Sequence, residues 1–167
     1  MWRAAALYAL WFAAYEGWLR PDGRLDTALS VNIAAAAAAG LRAVGFPAHV
    51  APDNAQLLMM GPQMAVYVGN PCNGLVLYAL FAGFVLAYPG PARRRLWFVP
   101  AGIAAIYALN VVRVAALALN HFYWQQTVEF NHHYTFTFVV YGAIFLLWMA
   151  WARRLAPAAA PAAPSRA

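Results

Sequence analysis

Residues 96 to 119, LWFVPAGIAAIYALNVVRVAALAL, carry a single charge, and that charge is Arg113. A run of this length makes a helix able to cross a bilayer core, which is ~30 Å thick and needs about 20 residues. A cation inside such a helix is costly unless paired, and ionisable groups kept there are functional candidates by default. Tyr107, Asn110 and Arg113 recur every three positions, so they share one helix face. A polar stripe on one face implies a buried polar site or a water-filled pocket. The bland alternative is that Arg113 snorkels to the headgroups.

The rest of the chain belongs to the same class. Hydrophobic residues make up 65% and charged residues 10%, too little charge for a soluble domain of 167 residues. The net charge of +6 comes without any Lys, and the Arg residues mark the ends of apolar runs. That distribution excludes a nucleic-acid binder, which clusters its cations on one face. It fits a multi-pass membrane protein with positive cytoplasmic ends. One Cys excludes a disulfide framework and a Cys-based metal site. The four His fit no zinc-ligand spacing, so no metal and no cofactor is expected.

Five apolar segments can be drawn: residues 2–19, 27–46, 73–88, 96–119 and 133–151. The first carries no small-residue cleavage site after it and reads as a retained helix. The second is Ala-rich, contains Asn32 and Arg42, and either spans or lies at the interface as an amphipathic helix. Between the second and third lie the short runs AQLLMM and MAVYV, separated by GPQ. They predict a β-hairpin on the membrane surface, because such backbone cannot lie unpaired in lipid. The expected fold is therefore an all-α integral membrane bundle of four or five antiparallel helices. The hairpin precedes the third apolar helix on the extracytoplasmic side. Residues 1–154 form the membrane domain, and the Ala/Pro-rich residues 155–167 form a disordered cytoplasmic tail.

Orientation follows from PARRRLW after the third segment and WARRLA after the fifth, both placed in the cytoplasm by the positive-inside rule. If the second segment spans, the N-terminus is outside; if it is interfacial, the N-terminus is inside. Depth can then be counted at ~1.5 Å per helical residue. Cys72 lies ~31 Å from Arg93, Arg113 ~27 Å from Arg95, and His133 ~30 Å from Arg153. Three ionisable residues on three helices thus reach one height at the outer edge of the core, which hydrophobic packing does not require.

Cys72 stands between Pro71 and Asn73, with Gly74 next, a pattern that predicts a tight turn presenting the side chain at the start of a helix. A thiol at a helix N-terminus near a guanidinium has a larger thiolate fraction. Free Cys is also among the most buried and inert residue types, and only the company of Arg113 and a histidine tips the reading to a nucleophile. His132 or His133 can take the thiol proton and return it to a leaving amine. Glu129 is placed to orient the ring, and His49 and His121 are given no role.

CNGL opening a helix, LNVVR within the next and FNHHYTF opening the one after resemble the exosortase/archaeosortase family of membrane cysteine transpeptidases. The resemblance covers roughly residues 30 to 152 and looks closest to the small exosortase X subgroup. It implies a catalytic set of Cys72, Arg113 and either His132 or His133, with Asn73, Gly74, Tyr107 and Asn110 supporting. The family pattern has one His followed shortly by Gly; this chain has two, with no Gly until Gly142. The implied activity is cleavage and transfer of the C-terminal sorting signal of exported proteins at the outer face of the bacterial cytoplasmic membrane. The implied partner is a membrane-anchored substrate bearing a short motif, an apolar helix and a basic cluster. The competing expectation is a non-catalytic membrane subunit or a scaffold that binds such a signal without cutting it. Oligomeric state is not legible.

Overall fold

The structure, a computed structural model, describes residues 2–123 and 136–155. Helix α1 spans Trp2–Ala14 and continues through a π-helical turn, Tyr15–Leu19, and one more turn, Arg20–Asp22. Gly23, at φ 65°, ends it in the left-handed conformation that glycine adopts without a Cβ penalty. Helix α2 follows over Arg24–Ala43. Three short strands come next: β1 Ala48–Val50, β2 Leu57–Met60 and β3 Gln63–Tyr67. A 3-10 turn, Asn70–Cys72, leads to α3 Leu75–Ala87. Helix α4 runs over Ala92–Tyr123, and α5 over Phe136–Ala150 before a π-helical turn, Trp151–Leu155.

The predicted hairpin exists as β2 and β3, joined at Gly61, but the sheet is larger than expected. β1 pairs antiparallel with β2, Ala48 opposite Met60 and Val50 opposite Leu58, giving the order β1-β2-β3. β1 covers the edge of β2 that a lone hairpin would leave unpaired. Pro47 and Pro52 flank β1 and keep it short, because proline cannot donate to a ladder. The fold is thus mostly helical, as expected, with a three-stranded sheet in place of a two-stranded hairpin.

Two hydrophobic cores share α4, whose 32 residues extend ~48 Å. The first core holds Phe81 and Val85 of α3, Phe98 and Ile106 of α4, Val140 and Ile144 of α5, and Trp151. Here α3 and α4 approach closely: a Cβ on Gly102 would stand 2.1 Å from the Phe81 ring. The second core joins Ile33, Ala34, Ala37, Ala38 and Leu41 of α2 to Leu58 and Met60 of the sheet and to Val114 and Ala118 of α4. The small side chains of α2, at helical spacing, let its backbone lie close to sheet and helix.

The second apolar segment packs away from the first core. Among the described residues, α2 contributes nothing to the first core and packs on the sheet and the far end of α4. Tyr15 lines a cavity with Asn73, Gly74 and Leu75 at the head of α3, while Leu7, Tyr8 and Trp11 share a groove with Gly83, Ala87 and Pro89 near its end. Helix α1 is therefore antiparallel to α3, and its N-terminus lies at the same end as Arg93–Arg95. Among the described residues α4 alone is long and apolar enough to cross a membrane unaided; α3 and α5 are shorter apolar helices.

Candidate functional site

The two cores meet on α4 between Ile106 and Val114, and the polar residues Asn110 and Arg113 fall at that junction. Asn110 is 2% exposed, and its Nδ2 donates to the Cys72 carbonyl at 2.9 Å. One turn further along, Arg113 lines a cavity of about 640 Å³. Its walls are Tyr15 and Arg20 from the end of α1, Asp26 from α2, Asn70, Asn73 and Gly74 from either side of Cys72, and Val140 and Tyr141 of α5. Ligand pockets commonly have this size and a few convergent polar groups.

Cys72 itself is half-buried and stands one step away from its expected position. It ends the 3-10 turn and does not begin the α-helix, which starts at Leu75. Pro71 suits the tight turn, and the chain then needs a reversal before α3 can begin. Gly74 supplies it at φ +82°. The Asn73 side chain supplies the first capping bond, its Oδ1 accepting from the Leu75 amide at 2.9 Å. The Tyr78 ring packs 3.4 Å from where a Cβ on Gly74 would lie, and its hydroxyl donates to the Asn73 carbonyl. The Cys72 amide donates to the Gly69 carbonyl at 2.9 Å. The backbone around the thiol is thus tied to α3, to α4 and to its own turn.

Asn73 also reaches α2. Its Nδ2 donates to the Asp26 carboxylate at 2.7 Å and to the Asp26 backbone carbonyl at 3.2 Å, across 47 positions of sequence. Both residues are 1% exposed. Tyr15, at the end of α1, lines the same cavity as this carboxylate. Sequence reasoning passed over Asp26, although an acidic residue at the head of an Ala-rich helix, four positions before the buried Ser30, was a visible signal.

Tyr107 turns to α2 rather than to the cavity, its hydroxyl donating to Asn32 Oδ1 at 2.5 Å. The three-residue stripe on α4 therefore serves three neighbours: α2, the Cys72 turn and the cavity. His49 is exposed on β1, and His121 sits in the last turn of α4. Glu129, His132, His133 and the Ala/Pro tail lie outside the described residues. Beside the polar cavity runs an apolar groove of about 440 Å³ between α1, α3 and Trp148 of α5; Leu80 lines both.

The family model described as transmembrane exosortase (Exosortase_EpsH) matches residues 1–152. Searches of curated proteins and of solved structures return no match.

Proposed function

The chain belongs to the transmembrane exosortase family, and from that premise we propose that it is a cysteine transpeptidase or protease acting on the C-terminal sorting signal of exported proteins. The observation that carries this reading is the junction on α4. Asn110 holds the carbonyl of the only cysteine, and Arg113, one turn away, lines a cavity with Asn70, Asn73 and Gly74 on either side of it in the chain. A spare hydrophobe needs no such cradle.

In this reading Cys72 Sγ attacks the scissile carbonyl carbon, and its proton passes to His132 or His133. The C–N bond breaks, the histidine returns the proton to the leaving amine, and a thioester remains. An acceptor amine or water then attacks the thioester and restores the thiol. Arg113 stabilises the oxyanion that forms in each attack, or clamps the substrate backbone. Asn73, Gly74 and Asn110 hold the turn, and Tyr107 steadies α4 against α2. The apolar groove that meets the cavity at Leu80 suits the helix that follows a cleavage motif, since helices associate in lipid by close packing. Arg93–Arg95 and the N-terminus lie in the cytoplasm, with the sheet and α2 outside.

The test is co-expression with a neighbouring-encoded protein that ends in a short motif, an apolar helix and a basic cluster. Loss of that tail should require Cys72, Arg113 and one of the paired histidines. Tail processing that persists in a Cys72→Ala variant sinks the mechanism.

A further inference from the structure

The sheet, α2 and the end of α1 are far from Cys72 in sequence, yet one carboxylate links them to it. We propose that Asp26 is a positioning residue for Cys72, acting through Asn73; this rests on the reading of Cys72 as the nucleophile. Three observations carry it. First, Asp26 is 1% exposed at a site where an acidic side chain is expensive to bury without partners. Packing alone would favour an apolar residue there, as at Ile33 and Leu41 further along the same helix. Second, the partners it has are particular. Asn73 gives its side-chain amide to both the carboxylate and the backbone carbonyl of Asp26, while its own oxygen caps Leu75. An amide engaged at both ends is held in place, and the residue before it is the cysteine. Third, Tyr15, Asp26, Asn73 and Gly74 line one cavity, so the end of α1, the start of α2 and the head of α3 meet around it.

The consequence is geometric. Asn110 fixes the carbonyl of Cys72 from α4, and Asp26 fixes the following residue from α2. With both anchors the thiol has a set direction relative to the cavity that Asp26, Asn73 and Arg113 line together. With Asp26 lost, α2 and the turn separate in function while each keeps its own core. Asp26 touches no reacting atom in this scheme, so its loss affects turnover rather than substrate binding.

The test compares Asp26→Ala, Asp26→Asn and the parent, each as the full chain in phospholipid vesicles. Turnover of the sorting-signal protein, reconstituted into the same vesicles at varied density, should fall by about tenfold or more in Asp26→Ala with KM within about twofold, because small misplacements of a reacting group are costly. Asp26→Asn should recover most of the loss, since its amide oxygen still accepts from Asn73. Labelling of the sole cysteine with N-ethylmaleimide needs no substrate and should change by about threefold or more in Asp26→Ala, as local order at the turn is lost. Should Asp26→Ala not accumulate, Asn73→Ala cuts the same link from the other side and carries the same expectations. Parent-like turnover and labelling in the alanine variants overturns the proposal. So does a loss confined to KM, or an Asp26→Asn variant as slow as Asp26→Ala. A Cys72→Ala variant that still cleaves overturns the nucleophile reading instead, and the labelling result then still decides whether Asp26 holds the turn.

Discussion

Gly102→Ala isolates the contact that seats α3 on α4. The added Cβ would stand 2.1 and 2.2 Å from Cζ and Cε1 of Phe81, where ordinary contact begins near 3.4 Å. Phe81 has no room to yield: it is 0% exposed, and its ring centroid lies 5.8 Å from that of Phe98. Ring or helix must therefore move by more than an ångström. Overpacking of this kind costs about 1–3 kcal/mol. Replacing glycine within a helix returns up to ~1 kcal/mol of backbone preference. The net loss is centred on about 1 kcal/mol, or roughly 2–4 °C in Tm for a chain of this size. Gly83→Ala is the control, because a Cβ there meets nothing within 4 Å and gains the same preference. Thermal unfolding in detergent, followed by tryptophan fluorescence, should separate the two variants, and Gly102→Ala combined with Phe81→Leu should recover part of the loss. Equal melting temperatures for Gly102→Ala and Gly83→Ala would refute the packing argument.

Two further outcomes bear on the site itself. Gly74→Ala forces a side chain into the left-handed region at φ +82°, a cost of about 1–2 kcal/mol, and presses on the Tyr78 ring. It should lower Tm by a few degrees and reduce tail cleavage further than Gly83→Ala does. Arg113→Lys keeps the charge but loses the planar fork of donors, so an oxyanion or backbone clamp should fail. Cleavage assayed by loss of the substrate tail should fall by about tenfold or more with the chain still in the membrane, whereas a snorkelling role would leave it unchanged.

The chain's own order carried much of this. Helical rise is constant, so counting from the arginines at the ends of the apolar runs placed Cys72 and Arg113 at one level, and Asn110 of one helix does hold the Cys72 turn of another. Proline and glycine punctuation marked the hairpin between Leu57 and Tyr67. Motif spacing pointed to the family that the match over residues 1–152 bears out. These features are local or periodic, and local rules suffice for them.

Other features depend on which surfaces meet. The Ala-rich segment was equally compatible with crossing the bilayer and with lying beside it, because alanine is nearly indifferent to either. In the fold, the sheet and the C-terminal half of α4 offer a surface that Ile33, Ala34, Ala37 and Ala38 complete. The direction of α1 follows from where Tyr15 and the Leu7, Tyr8 and Trp11 side chains lie along α3. β1 needed β2 beside it before three residues between prolines could count as a strand. The start of α3 moved from Cys72 to Leu75 because Asn73 found a capping role and a distant partner at once. The bond from Asn73 to Asp26 is the clearest case. No periodicity connects positions 47 apart, and only the return of α2 to the head of α3 brings that carboxylate beside the cysteine's turn.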